Sequence, residues 1–281
     1  MSTLALTKQE SLDHWPELFL HDEIRAAYHL ALLEWPYSRY AAWQHHHGPD
    51  GEIDAAVTFY SLSRPTIVFL LGDASSVAEC LAAAEPPGCA YLAFFPEHAG
   101  MLNGFYRMPR HTQMTRMVLR RDDFERRAEA SGGDPRTVVL DGGRTHLAPL
   151  EELYSHEAGL RPDRYQFDRG RYVGIFDRGK LVSAAGTHFV SRNGSFAMIG
   201  NVFTHPDHRQ EGLGRAAVIE LLRRTFAGVQ KVCLNVRTSN RAAVNLYESL
   251  GFAAHCTYCE GMSVLGPALA TAAPKPPSGE F

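Results

Sequence analysis

Three consecutive stretches in the second half of the chain are rich in apolar residues and are bounded by turn residues, which is the pattern of β-strands. They cover residues 171–176, 181–191 and 195–204, and turns with the sequences DRGK and RNG separate them. Strands that are joined by such tight turns pair antiparallel. The pattern therefore predicts a three-stranded antiparallel meander.

After residue 204 the apolar spacing becomes helical, and helices then alternate with strands. The predicted elements are a helix with Val218, Leu221, Leu222 and Phe226 on one face, a strand over 229–237, a helix from about Asn240 and a strand over 254–265. This order predicts an α+β fold in α/β/α layers, in which helices flank a mixed, mostly antiparallel sheet.

The first half of the chain repeats the same coarse order. Its predicted elements are a helix over 22–33, strands over 53–61 and 66–71, a short helix over 75–84 capped by Ser75 or Ser76, and strands over 90–95 and 113–119. Two tandem domains of one kind are therefore expected.

A linker signal separates the two halves. The sequence SGGDP at 131–135 is typical of a linker. We therefore expect one domain over 1–135 and a second over 136–265. The remaining residues, 266–281, are rich in proline and alanine and are predicted to be disordered.

Composition and charge narrow the class of protein. The 281 residues are 45% hydrophobic and carry a formal net charge of -3, which gives no general field for nucleic acid or for anionic membranes. No apolar run reaches the length of a membrane span, and the start MSTLALTKQESLDHW lacks the pattern of a signal peptide. The number of cysteines, five, is odd, which is untypical of a disulfide framework. A cytoplasmic protein is predicted.

One turn in the second half carries candidate chemistry. The stretch THPDHRQEGLGRAAV, residues 204–218, leads from a predicted strand into a predicted helix through two glycines, Gly212 and Gly214. Helix N-termini offer unpaired N–H groups to anions, and Arg209 and Arg215 add positive charge at the rim. Many such turns only cap a helix. The turn lacks the Gly-Lys-Ser/Thr of a Walker loop and the third glycine of a dinucleotide fingerprint.

Taken together with the later sequence NRAAVNLYESLGF, this turn resembles the GNAT superfamily of acyl-CoA-dependent N-acetyltransferases, in its FR47-like branch. The resemblance covers about 172–252. It implies acetyl-CoA as the co-substrate, with no metal, and it implies a site made of three parts. A cradle for the coenzyme pyrophosphate would consist of Arg209, Gln210, Glu211, Gly212, Leu213, Gly214 and Arg215. The strand end Val202, Phe203 and Thr204 would lie beside the pantetheine and donate a backbone N–H to the thioester carbonyl. Asn240 would lie near the pantetheine arm, and Tyr247 would protonate the departing thiolate.

The acceptor side is less defined by the sequence. The resemblance implies transfer to a primary amine of a small molecule or amino acid, by direct attack in a ternary complex. The sequence leaves open whether the protein assembles as a homodimer. His188 is the leading candidate for the base, but it shares a predicted strand face with Val182, Ala184 and Gly186, which equally fits a structural histidine. Asn201 is a candidate for positioning the substrate, and a water chain without a dedicated base is the alternative.

Other features weigh against metals and leave a second function open. The histidines at 45–47 would point to alternate sides of an extended chain, and Cys256 and Cys259 have no second pair, so no metal site is expected.

The turn GDASSVA in the first half lacks the arginine and the paired glycines of the turn in the second half. We therefore expect a degenerate GNAT-like domain that walls off the acceptor site. The alternative function is a non-catalytic acyl-CoA-binding or regulatory module, although Tyr247 favours an enzyme.

Overall fold

The computed structural model describes residues 17–34, 36–84, 86–128, 134–141, 144–157, 164–192 and 194–266. These residues form two compact units: the first runs up to Met114 and resumes at Cys256, and the second is Thr115–His255. The predicted linker lies partly, and the predicted disordered tail beyond Gly266 entirely, outside the described residues.

The chain forms helices and strands in an order close to the predicted one. The elements up to the start of the second unit are α1 (Glu17–His21), α2 (Ala27–Leu33), β1 (Ala41–His47), β2 (Ile53–Tyr60), β3 (Thr66–Gly72), α3 (Ala74–Ala83), β4 (Cys89–Phe94), α4 (Ala99–Leu102), β5 (Tyr106–Arg107) and β6 (Thr112–Arg120). The later elements are α5 (Arg121–Ala128), β7 (Thr137–Leu140), α6 (Arg144–Tyr154), α7 (Arg164–Arg169), β8 (Tyr172–Asp177), β9 (Lys180–Val190), β10 (Phe196–Thr204), α8 (Leu213–Phe226), β11 (Lys231–Arg237), α9 (Arg241–Ser249) and β12 (Ala253–Leu265).

The first unit has a mixed sheet in the order β1-β2-β3-β4-β12, and β5 also pairs with β12. Only β3 and β4 among these strands pair parallel. Helix α3 connects them and buries Val77, Cys80 and Leu81 against Leu70 and Leu92 of the sheet. The unit is thus a mostly antiparallel sheet with a helix crossover between its two parallel strands.

The second unit repeats this plan, with strands in the order β7-β8-β9-β10-β11-β6. Strands β7 to β10 form the predicted antiparallel meander with one further strand, and β10 pairs parallel with β11. Helix α8 buries Leu213, Val218 and Leu222 against the sheet, whereas a second core contains Tyr154 of α6 and Phe167 of α7. The predicted fold class is confirmed: helices flank a mixed, mostly antiparallel sheet.

Each unit takes one strand from the other half of the sequence. Strand β12 follows α9 directly in the chain, yet Cys259 to Val264 pair with β4 of the first unit. Strand β6 follows the first unit, yet it is the neighbour of β11, and Arg116 Nε donates to Asn235 Oδ1 at 2.9 Å. The compact units therefore do not divide at 135 and 265, where the sequence pattern placed the domain ends. Linear order misleads here because strand pairing depends on edges that meet only in the folded chain.

Several local predictions need correction. Helix α3 is capped by Asp73, whose carboxylate accepts from the N–H groups of Ser75 and Ser76, so neither serine is the cap. The helix predicted over 22–33 is shorter: residues 22–26 form turns and only α2 lies within that range, whereas α1 ends before it. Helix α9 ends as predicted: Phe252 N donates to Tyr247 O, and Gly251 N donates to the carbonyl of the residue after Tyr247, which is a Schellman motif.

A buried histidine joins the two parallel strands of the first unit where their ends diverge. His98 Nε2 donates to the carbonyl oxygen of Gly72 at 2.9 Å, and its Nδ1 accepts from the N–H of Phe95 at 3.3 Å. Both bonds require the neutral ring, and burial lowers the pKa of His98. The imidazole thus occupies the gap between the ends of β3 and β4 as a polar wedge.

The strand exchange predicts which unit a change in β12 destabilises. Ser263 is buried and donates to the carbonyl oxygen of Ala90, so Ser263→Asp buries a carboxylate and costs at least about 2 kcal/mol. In Ser263→Asp, we expect thiol alkylation, mapped by mass spectrometry, to modify the buried Cys80 of the first unit faster than the buried Cys233 of the second. Met262→Asp, on the exposed side of the same strand, is the matched control and should change neither rate. Earlier labelling of Cys233 would contradict the strand assignment.

The wedge formed by His98 predicts a dependence of stability on pH. Above about pH 6.5 the His98 ring is neutral in both the folded and the unfolded protein. Below that pH the unfolded chain binds the proton first, because folding lowers the pKa of His98. The free energy of unfolding should therefore fall by up to about 1.4 kcal/mol per pH unit as the pH drops below 6.5. Urea unfolding at pH 7.5 and 5.5 measures this loss. His98→Gln keeps one donor and one acceptor without titrating, so its loss should be smaller; an equal loss would rule out His98 as the cause.

Candidate active site

The turn between β10 and α8 forms a concave arrangement of backbone N–H groups. Gln210 and Gly212 both have a left-handed backbone, with φ of 68° and 78°. The first hydrogen bond of the helix runs from Ala216 N to the Gly212 carbonyl at 3.0 Å, so the N–H groups of Leu213 and Gly214 precede the ladder. A Cβ on Gly212 would meet no atom within 4 Å. The helix N-terminus is thus open to an anion.

The side chains of the turn have different surroundings. Arg209 is exposed and donates from Nε to the carbonyl at the end of β10 at 3.4 Å. Gln210 and Glu211 are exposed, and Arg215 is half-buried. Leu213 is buried in the core beneath α8, so it can contribute to the predicted cradle through its backbone alone.

The parallel pair β10 and β11 separates next to this turn. Paired residues run from Phe196 and Lys231 to Ile199 and Leu234, whereas β10 continues for five residues beyond Ile199. The register of β10 against β9 shifts between Gly200 and Phe203, which marks a β-bulge. Backbone groups of β10 beyond the bulge therefore lie past the end of its pairing with β11.

Asn201 lies at the centre of this bulge, with a left-handed backbone at φ 52°. Its carbonyl oxygen accepts a hydrogen bond from the hydroxyl of Tyr154 in α6. Its side-chain amide donates to the Tyr172 hydroxyl of β8 at 2.7 Å and lies 3.5 Å from the Gln166 side-chain oxygen of α7. The structure thus engages Asn201, predicted to position a substrate, in bonds within the protein.

The three residues after the bulge divide between the two faces of the sheet. Val202 packs against the core of α8, whereas Phe203 is buried beside Tyr154. The Thr204 hydroxyl lies 2.9 Å from the hydroxyl of Ser183 and next to Gly214 at the start of α8. These residues thus connect the strand end to the turn, and their place beside the pantetheine stays a prediction.

Two glycines let aromatic rings lie across the middle of the sheet. A Cβ on Gly186 would be 2.2 Å from the ring of Tyr172, and one on Gly200 would be 2.4 Å from Nε2 of His188. His188 therefore lies directly against the strand residue that precedes the bulge. The sequence predicted that Val182, Ala184 and Gly186 share a strand face with His188. This prediction is partly wrong, because a register shift in β9 turns Val182 into the core beneath α8.

Tyr247 and Asn240 both belong to α9. Tyr247 is buried in the core of α8, its ring contacts Phe252, and burial raises the pKa of its hydroxyl to about 12. It is therefore a neutral donor at physiological pH. Asn240 is the N-cap of the helix, with its side-chain oxygen accepting from Ala243 N at 3.2 Å.

The remaining candidate groups belong to the first unit. His46 of the histidine run binds Asp54 through Nδ1 at 2.7 Å, and His47 contacts the carbonyl oxygen of Gly51. Cys256 is half-buried and Cys259 is buried. Within the part of the chain that the structure describes, no group of three or more such residues could hold a metal ion. No described helix is long and apolar enough to cross a membrane.

Sequence reasoning did not identify Tyr154, Tyr172 and Gln166, which surround Asn201. The available signal was Asn201 itself, because an asparagine after a glycine within a strand often marks a left-handed position. The residues that hold it come from three separate elements, and no sequence spacing relates them.

Comparison with known proteins agrees with this geometry. The sequence profile of the acetyltransferase (GNAT) family matches residues 144–252. The chain is 41% identical over 111 residues to the ribosomal protein bS18-alanine N-acetyltransferase of Escherichia coli K12, which covers 39% of this chain and 68% of the relative. It is 39% identical over 82 residues to N-alpha-acetyltransferase RimI of Mycobacterium tuberculosis, covering 29% of this chain and 51% of the relative.

Solved structures extend the fold similarity to nearly the whole chain. A Drosophila protein superimposes with a TM-score of 0.65 at 14% identity, covering 95% of this chain and 99% of its own. A tandem GNAT protein from the clavulanic acid biosynthesis pathway gives 0.58 at 13% identity, with the same coverage. At such identities the likeness concerns the fold alone, and the FR47-like branch stays a prediction. With a relative matched over more than two thirds of its length, the chain belongs to the GNAT family of acetyltransferases and is an acyltransferase enzyme.

Proposed function

We propose that the second unit transfers an acetyl group from acetyl-CoA to a primary amine by direct attack in a ternary complex. The observation that carries this proposal is the open turn at Gly212 next to the separated ends of β10 and β11. An elongated ligand with an anionic end fits this combination of features. The family uses acetyl-CoA, which has such a shape.

The parts of the coenzyme would be held by different kinds of groups. The pyrophosphate would accept from the N–H groups at the start of α8, with Arg209 and Arg215 adding charge. The pantetheine would lie along Val202, Phe203 and Thr204, where the strand end has left its parallel partner. Asn240 would contact the pantetheine arm through its side-chain amide nitrogen, because its side-chain oxygen already caps α9.

We propose that the first unit, which we regard as a degenerate domain of the same kind, binds no coenzyme. The carboxylate of Asp73 takes the N–H groups at the start of α3 that an anion would need. The ring of His98 fills the gap between the ends of β3 and β4. One acetyl-CoA per chain is therefore expected.

The transfer forms an amide C–N bond and breaks the thioester C–S bond. The amine must first be neutral, and it loses one further proton while the leaving sulfur gains one. A backbone N–H beyond Asn201 would stabilise the oxyanion. Tyr247 is assigned as the group that protonates the leaving sulfur. Because the pKa of its hydroxyl, about 12, exceeds that of a thiol, about 8.5, Tyr247 does not remain ionised: it passes a proton to the sulfur and regains the proton that the amine loses.

His188 is the candidate base because its ring lies against Gly200, one residue before the bulge. An imidazole has its pKa in the range that accepts protons near neutral pH. Transfer of the amine proton through water is the alternative, and the pH dependence of the rate distinguishes the two.

The acceptor belongs to one of two amine classes. The sequence favours a small amine or amino acid, whereas the bacterial relatives include an enzyme named for alanine acetylation on ribosomal protein bS18. Amino acids and protein N-termini both offer an α-amino group; that of a peptide N-terminus has a pKa of about 8, so a useful fraction is neutral at physiological pH. We therefore propose an α-amino group as the acceptor, in a cytoplasmic setting, and leave a homodimer as a proposal for the assembly.

The cradle predicts a specific loss of coenzyme binding. Gly212→Trp places a large ring in the open space at the start of α8, and we expect acetyl-CoA affinity to fall by about a hundredfold or more. Isothermal titration calorimetry measures it. Gly51→Trp is the matched control, since Gly51 also has a positive φ, of 86°, and open space around its Cβ. Unchanged affinity in Gly212→Trp would mean that the coenzyme binds elsewhere.

Turnover tests the enzyme against the alternative regulatory module. Free thiol is followed with acetyl-CoA and a panel of amino acids, small amines and peptides that begin with alanine. We expect thiol release that requires an amine, and Tyr247→Phe should lower kcat by about a hundredfold at unchanged acetyl-CoA affinity. If His188 is the base, His188→Gln removes the acidic limb of the pH profile. Tight acetyl-CoA binding without turnover on every amine would favour the regulatory module.

A further inference from the structure

We propose that Tyr154 and Tyr172 are positioning residues for the transfer, because together they hold the bulge at Asn201 in its left-handed form. This inference rests on the proposed function, since it concerns the backbone donor to the thioester. We call these two tyrosines and Asn201 the bulge clamp. Neither tyrosine is assigned to touch the substrates.

The backbone at Asn201 needs support from outside its own strand. A residue with a side chain pays a steric penalty at φ 52°, although asparagine tolerates this region better than most residues. Such conformations persist where the surrounding structure holds them. The extra residue of the bulge also lacks a partner in the β9 register.

Tyr154 supplies the first support through its hydroxyl. It is fully buried and donates to the carbonyl oxygen of Asn201, the group that the bulge turns away from the ladder. Burial raises the pKa of Tyr154 well above its ordinary value, so the hydroxyl keeps its proton and its role as donor. Without this bond a partly buried carbonyl would lose its partner, which favours a different backbone arrangement.

Tyr172 of β8 supplies the second support, from the same core that contains Tyr154. Its ring crosses β9 above Gly186, where no side chain blocks it, and its hydroxyl accepts from the Asn201 side-chain amide at 2.7 Å. The side chain and the carbonyl of one residue are thus tied to two separate elements, β8 and α6. This double attachment fixes the peptide between Asn201 and Val202, and with it the direction of the Val202 N–H.

The direction of that N–H matters more than its presence. A donor to an oxyanion has to be held in place before the reaction, because a misplacement of about 1 Å can cost a hundredfold in rate. The cradle at the start of α8 binds the far end of the coenzyme and does not depend on the clamp. Loss of the clamp should therefore lower kcat while coenzyme affinity stays the same.

The test combines kinetics with the infrared spectrum of bound acetyl-CoA labelled with 13C at the thioester carbonyl. A hydrogen bond to this carbonyl lowers its stretching frequency. We expect a lowered band in the unaltered protein and a band near that of free acetyl-CoA in Tyr154→Phe and Tyr172→Phe. We also expect kcat to fall by about 10- to 100-fold, with the acetyl-CoA dissociation constant changed less than about threefold.

Tyr106→Phe is the matched control. Tyr106 is an equally buried tyrosine of the first unit, and its hydroxyl has no hydrogen-bond partner among the described residues. Loss of this hydroxyl should change neither the band nor kcat. A general effect of replacing a buried tyrosine would appear in this variant too.

The outcomes separate the clamp from the proposed function. A lowered band that persists in both Tyr154→Phe and Tyr172→Phe, with unchanged kcat, overturns the clamp and leaves the proposed function intact. A band that is unshifted in the unaltered protein overturns the backbone donor itself. If Tyr154→Phe does not fold, Tyr172→Phe alone decides, because it keeps the carbonyl bond and removes only the side-chain attachment.

Discussion

The parallel pairing of β10 with β11 stops at Ile199 and Leu234, and the candidate site depends on this separation. Two paired strands satisfy each other's backbone groups and leave no room for a ligand between them. The bulge at Asn201 bends β10 away from its regular path at this point. The open turn at Gly212 begins a few residues later, so the end of the strand pairing and the open helix end are neighbours along one short stretch of chain.

The first unit has the same plan, but its own side chains occupy the corresponding places. His98 bonds to both strand ends, and Asp73 caps the helix that follows β3. A side chain that meets these backbone groups stabilises the unit without a ligand, whereas an open turn leaves them to a bound molecule. The contrast is the physical basis of the proposal that only the second unit binds the coenzyme.

Much of the fold and the outline of the site could be predicted from sequence. The meander, α8, β11 and α9 follow from apolar periodicity, and the turn with Gly212 and Gly214 was found from its residue types. The strand exchange could not be predicted, because the pattern of β12 is that of any half-buried strand and does not specify its partner. The bond from Tyr154 to Asn201 was missed for the same reason, since it joins residues 47 positions apart.

The sequence by itself determined the local structure and the family: helix ends, tight turns and the motif around Gly212 depend on residues that are close together in the chain. Only the tertiary structure decided which sheet receives β6 and β12, which tyrosines reach the bulge, and that Val182 and Ala184 pack on opposite faces. These outcomes depend on the meeting of distant segments, which packing and backbone hydrogen bonding select together and which no local pattern encodes.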